Sequence, residues 1–179
     1  MKRTLPLPLL LGSAMTAAAH PAEFHGIAGS DAAISGLLHP FSGLDHLLVM
    51  IAVGLWAARI GGVAVPLLPL AFAGSMLSGG FLALSGMRLA AVEPGILASL
   101  LLLGAALGMS WRPPLAIAAL FVGCAGFCHG FAHGVEMAPG TSASLYFSGM
   151  MVSTLLLLGL GLGAGLLPVR NRCPIGSLP

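Results

Sequence analysis

Long apolar stretches, each near twenty residues and joined by connections too short to house a soluble domain, constrain this chain more than any other feature. A helix of roughly 20 predominantly apolar residues spans the hydrocarbon core of a bilayer. Five such stretches are expected to form helices at about 37–60, 63–86, 95–110, 114–137 and 144–167. Charge agrees with this reading. Only 7% of the 179 residues are Asp, Glu, Lys or Arg, against about 25% in ordinary soluble domains. Twelve ionisable acids and bases cannot supply the charged skin of a soluble globule, so the fold class expected is an all-α polytopic membrane bundle of about five transmembrane helices.

The N-terminus reads differently from the five runs. Lys2 and Arg3 precede a short apolar stretch from Leu5 to Ala19 that contains Pro6 and Pro8 and ends Ala17-Ala18-Ala19. A charged start, a short apolar middle and a small-residue cleavage site are the parts of a secretory signal peptide. Residues 1–19 are therefore expected to be a cleaved signal, 20–36 an external N-terminal segment, 37–167 the helix bundle and 168–179 a cytoplasmic tail. Retention of the first segment would add a sixth span without inverting the others. With the mature N-terminus outside, Arg59, Arg112, Arg170 and Arg172 fall inside and Arg88 outside. That bias obeys the preference of positive charge for the cytoplasmic side and implies a multi-pass protein of the bacterial inner membrane.

Glycine is abundant, with 26 residues. Gly126, Gly130 and Gly134 recur every four residues, as do Gly159 and Gly163 and, offset by two, Gly161 and Gly165. Small residues at this spacing let membrane helices approach closely, so both stripes are expected to be packing faces; they leave homo-oligomerisation open. The chain has no GxxxxGK[ST] loop and no soluble domain to carry one, which excludes direct ATP hydrolysis. No nucleic-acid partner is expected.

Ionisable residues beside or within apolar runs are costly in hydrocarbon and by default mark a pathway or a site. Here they form two groups. The first is HPFSGLDH, with His39, Asp45 and His46, at the start of the first run, where Pro40 suits an N-terminal helical position. The second is HGFAHGVE near the end of the fourth run, where His129, His133 and Glu136 fall within about 60° of one another on a helix. Because the first helix runs inward and the fourth outward, both groups belong to the same half of the membrane. His39 and Glu136 are expected near the rim, His133 between, and Asp45, His46 and His129 about 10 Å deeper at 1.5 Å per residue.

Imidazole and carboxylate suit divalent first-row metals such as nickel, cobalt and zinc, and a track without thiolates argues against copper(I) or iron–sulfur chemistry. A lone histidine in such a run is often a hydrogen-bonded packing residue. Five converging groups are not explained so easily. The methionines read as apolar fillers, and Cys124 and Cys128, four residues apart, as packing residues; with Cys173 they make no disulfide framework. In the external segment His20 and His25, with Glu23 and Asp31, either capture metal or belong to a solvated tail. Glu93 beside Pro94 reads as an electrostatic attractor or as an acid favoured by a helix N-terminus.

At these two motifs the chain resembles the HupE/UreJ family of bacterial nickel and cobalt permeases. The resemblance rests on HPFSGLDHLLVMIAVGLWAA and HGFAHGVE. It extends over nearly the whole chain, including the region of Phe72 and Met76 and the VEPGILAS segment with Glu93. It implies metal uptake across the cytoplasmic membrane in support of nickel enzymes such as hydrogenase or urease, or of cobalt needs. It also implies that His39, Asp45, His46, His129, His133 and Glu136 are required for transport, with Phe72 and Glu93 supporting. Cys128 departs from the pattern, standing where an apolar aromatic is expected before the His-Gly pair.

The function expected is thus a secondary permease, not an enzyme, which binds no permanent cofactor and carries Ni2+ or Co2+ as its substrate. The alternative is an intramembrane zinc hydrolase in which the same His and Asp residues activate a water. Against it, Gly130 occupies the position that a general-base Glu would take in the zinc-peptidase motif His-Glu-x-x-His.

Overall fold

The computed structural model describes residues 30–167. The expected signal peptide, the segment with His20, Glu23 and His25, and the tail from 168 to 179 lie outside the described residues. Among the described residues there are six α-helices and no strand: α1 Ser30–Leu38, α2 Leu44–Ile60, α3 Ala64–Ala83, α4 Val92–Gly108, α5 Leu115–Glu136 and α6 Ala143–Leu166. A 3-10 turn, His39–Phe41, joins α1 to α2.

The last four expected helices lie within three residues of these bounds, whereas the first does not exist as a continuous rod. Its place is taken by α1 and α2, bent by 78° relative to each other. The reason is local. Pro40 has no N–H to give to a helix, and Gly43, in an extended conformation with φ −116° and ψ 121°, precedes Leu44 and starts a new helix there. The Ser42 hydroxyl donates to the His39 carbonyl at 2.6 Å and closes the turn. Asp45 and His46 consequently occupy the first turn of α2 rather than a site one to two turns into a helix begun at Pro40. Residues 30–36, expected in the external segment, are helical. Their small and apolar side chains allow α1 to lie on α6, with Gly36 against the Tyr146 backbone and Gly149 against Ala33.

Three helices, α3, α5 and α6, are long and apolar enough to cross a membrane, and the bent pair α1–α2 is a fourth candidate. The expectation of five full spans is therefore revised. The 17 residues of α4 reach only about 25 Å at 1.5 Å per residue, against a hydrocarbon core of about 30 Å.

Packing explains how the bundle closes. α3 makes its most extensive contact with α5, while α1 and α2 both lie on α6. The α3–α5 contact runs along the stripe Gly126, Gly130 and Gly134, where a side-chain carbon on Gly130 would collide with the Met76 backbone. The α6 stripe divides. Gly161 and Gly165 lie against Ile51 and Leu55 of α2, but Gly159 and Gly163 face open space, so only half of the expected packing face is used. Val49, Met50, Trp56, Leu68, Phe72, Met76, Leu103 and Met150 fill the centre, whereas Leu70, Leu101, Leu120 and Leu160 are each more than 60% exposed on the outside. Large apolar side chains on both surfaces of the helices are what a lipid solvent requires. The protein is a membrane protein.

Candidate metal site

The break between α1 and α2 holds three of the ionisable residues of the apolar region, and the last two turns of α5 bring the other three to it. His39 lies in the 3-10 turn, Asp45 and His46 in the first turn of α2, and His129, His133 and Glu136 along one side of α5. Broken helices are a recurrent way to build ion sites within membranes, because the break frees polar groups at membrane depth.

The site has two connected levels. At the outer level His39 Nε2 donates to Glu136 Oε2 at 2.9 Å. The two side chains are 24% and 44% exposed. His39, His133 and Glu136 each offer one ligand atom within 4.8 Å of the others. Metal–nitrogen bonds of about 2.1 Å limit two ligand atoms on one ion to about 4.2 Å apart, so the three groups need close by only about half an ångström to share an ion.

Inward from this level the rings follow one another. His39 and His133 have centroids 4.8 Å apart, His133 and His46 4.5 Å, and His46 and His129 5.0 Å. His129 and His133 are fully buried and His46 is 8% exposed. Phe72, also fully buried, lies with its ring 5.8 Å from that of His129 and closes the inner end of the series.

Several ring nitrogens have nothing to bond. His129 Nδ1 lies 2.9 Å from the Ala125 carbonyl; a carbonyl can only accept, so Nδ1 carries the proton and a neutral His129 directs the lone pair of Nε2 toward the site. That Nε2, and both nitrogens of His133, are buried without a hydrogen-bond partner. Buried polar groups are normally paired, and leaving one unpaired costs about 1–3 kcal/mol. Histidines retained for packing would be satisfied. His129 Nε2 and whichever nitrogen of a neutral His133 carries no proton are available as ligands.

Asp45 takes a different place from the deep one its sequence position suggests. Its side chain is 42% exposed, and Oδ1 comes within 3.0 Å of His46 Nδ1 without the alignment of a hydrogen bond, since Nδ1 remains without a partner. Its link to the cluster runs through His46, as a carboxylate behind an imidazole ligand does in many metal sites. Glu93 is exposed in the first turn of α4 and is not part of the three-residue group. Cys124 is exposed and Cys128 partly buried; the Cys128 sulfur lies against Gly95 of α4, away from the imidazole series.

Residues 8–174 match the family described as HupE / UreJ protein. The chain belongs to the HupE/UreJ family. A curated HupE/UreJ relative, Protein HupE of Rhizobium leguminosarum bv. viciae, is 39% identical over 151 residues, covering 83% of this chain and 79% of the relative. No solved structure matches. The HupE/UreJ match spans all six helices and both histidine motifs.

Sequence reasoning passed over one neighbour of the site. Tyr146, in the first turn of α6, has its ring 5.8 Å from His39 and a buried hydroxyl with no partner. It is the single tyrosine of the chain, and a lone phenol at the start of an apolar run was the available signal. Its partner across the bundle, His39, was not visible from that position.

Proposed function

We propose that this HupE/UreJ protein is a secondary permease that takes up nickel(II), or cobalt(II), across the cytoplasmic membrane from the outside. One observation carries the reading: an unbroken series of imidazoles leads from the half-exposed His39–Glu136 pair to the fully buried His129, with unpaired ring nitrogens along it. Imidazole with carboxylate is the donor set that such ions favour.

The steps follow from protonation. The His39–Glu136 hydrogen bond holds a proton where the ion must bind, so loading requires a neutral His39 to carry its proton on Nδ1 instead, or a charged His39 to release the Nε2 proton to water, before His39, Glu136 and His133 can share the metal. His133 has two ring nitrogens without a hydrogen-bond partner and stands between the levels. It can pass the ion to His46 and His129, whose rings lie 4.5 Å and, beyond His46, 5.0 Å further along the series. Asp45 orients His46 and offsets part of the positive charge. Phe72 blocks the inner end, so release requires the helices to shift around it. The half-used glycine face of α6 leaves room for such a shift.

The test is uptake of radioactive nickel and cobalt, each in competition with the other, in cells expressing wild type or His133→Ala at equal membrane abundance. Loss of saturable uptake in the variant supports the reading. Uptake at the wild-type level overturns it.

A further inference from the structure

The end of the bundle farthest from the histidines carries a second polar feature. Trp56 and Arg59 in the last turns of α2, Ala106 near the end of α4, and Ser110, Trp111 and Arg112 in the α4–α5 connection line a pocket of about 40 Å³. Along α2 it lies about 20 Å from His46 at 1.5 Å per residue. The Trp56 indole donates to the Trp111 carbonyl at 3.0 Å, and the two indole rings stack at 6.2 Å with an interplanar angle of 28°. These contacts fix one wall. The Arg59 guanidinium donates one N–H to the Leu107 carbonyl at 2.8 Å, which ties it to the end of α4 beside the pocket.

Two arginines from separate elements thus line one pocket, and neither has a carboxylate partner among the described residues. Asp45, Glu93 and Glu136 are at the histidine end of their helices, and Asp31 is on α1, which packs on α6 near Tyr146 and Gly149. Like charges brought to one pocket without a counter-charge among the described residues repel each other and call for an external anion. The guanidinium fork matches phosphate oxygens in particular. The small volume admits phosphate oxygens but not a whole headgroup or a nucleotide base. Indoles beside it are the side chains that settle at the level of lipid headgroups.

We propose that Arg59, Arg112 and Ser110 form a phosphate-binding site, walled by Trp56 and Trp111, at the end of the bundle opposite the histidines. Its ligand is a phosphate group, borne by an anionic lipid or free in solution. Because Arg59 ends α2 and Arg112 precedes α5, a bound phosphate ties together the two helices that carry His46 and His133. The site stands independently of the transport reading.

The chain has two tryptophans, and both line this pocket, so intrinsic fluorescence of the purified full-length protein in detergent reports on it directly. The probes are short-chain phosphatidylglycerol, short-chain phosphatidylcholine and inorganic phosphate. A saturable change with phosphatidylglycerol is expected. Its apparent affinity should weaken about fivefold in Arg112→Gln, the loss expected for one basic residue near an anionic surface, and should be unchanged in Arg88→Gln, which lies outside the pocket. Arg112 makes no side-chain hydrogen bond or ion pair among the described residues, so this variant removes charge without removing a structural contact there. Competition by inorganic phosphate identifies free phosphate as a ligand, and its failure to compete assigns the site to lipid. A response to phosphatidylcholine as strong as that to phosphatidylglycerol, no saturable response to any probe, or equal affinity in Arg112→Gln would each overturn the proposal.

Discussion

His46 of α2 and His133 of α5 bring their rings to a centroid separation of 4.5 Å, edge to face. Together with His39–Glu136, His39–His133 and His46–His129, this pair joins two motifs from opposite halves of the chain into one polar path. His133 also touches His39 at 4.8 Å, so it is the one ring shared by both levels.

His133→Ala should therefore have the largest effect on transport of any single histidine change. Removing it interrupts the path between the levels, and uptake of radioactive nickel should fall more than tenfold, whereas Glu136→Gln, which leaves all four imidazoles in series, should retain a measurable fraction. Quantifying the protein in the membrane by immunoblot separates loss of transport from loss of fold. Greater uptake in His133→Ala than in Glu136→Gln would contradict the order of the path.

Asp45 acts through His46. Carboxylates behind an imidazole ligand typically affect metal affinity or activity by about 10–100-fold, so Asp45→Asn should weaken half-saturation for nickel by about tenfold while Asp45→Glu restores most of it. An unaltered half-saturation concentration in Asp45→Asn would leave the carboxylate without this role.

Metal binding requires imidazoles with a free lone pair and ionised carboxylates. Protons compete with the ion for its ligands, so nickel uptake at fixed free metal should fall as external pH drops from about 7.5 to about 5.5. The sign is the useful part: the charged form of each ring is the one that cannot bind. Uptake that rises through this interval would show that proton release is not part of loading.

Gly130 and Gly159 lie in similar small-residue stripes but meet different surroundings. A Cβ on Gly130 would collide with the Met76 backbone, and one on Gly159 would meet nothing within 4 Å. Gly130→Ala should lower thermal stability in detergent, with overpacking costing about 1–3 kcal/mol, while Gly159→Ala should leave it within the scatter of the measurement. Thermal unfolding followed by circular dichroism compares them, and equal midpoints would mean that the α3–α5 contact yields more easily than its backbone approach suggests.

Tyr146→Phe removes a hydroxyl that has no partner in the fold, so stability should hold or rise slightly. If that hydroxyl supports the hydrated ion beside His39, uptake at low nickel falls severalfold without a change in the melting midpoint. A fall in both together would assign Tyr146 to structure.

The sequence by itself determined that this chain lives in lipid, because twelve charged side chains cannot cover a soluble core, and it placed four of the helices to within three residues. It also gathered the relevant histidines and carboxylates into two motifs, since ionisable groups stand out against an apolar background. Tertiary structure decided the rest. Helical periodicity could not reveal that Pro40 and Gly43 divide the first run, because each is tolerated near a helix start and only their combination with α1 packing on α6 makes the break. Nor could it show that Asp45 stands behind His46 while Tyr146 faces His39. The same limit applied to the glycines: spacing alone treated Gly159 and Gly161 alike, and only the position of α2 beside α6 distinguished them. Such relationships depend on how helices from distant parts of the chain rotate and approach, and that is fixed by side-chain packing across the bundle.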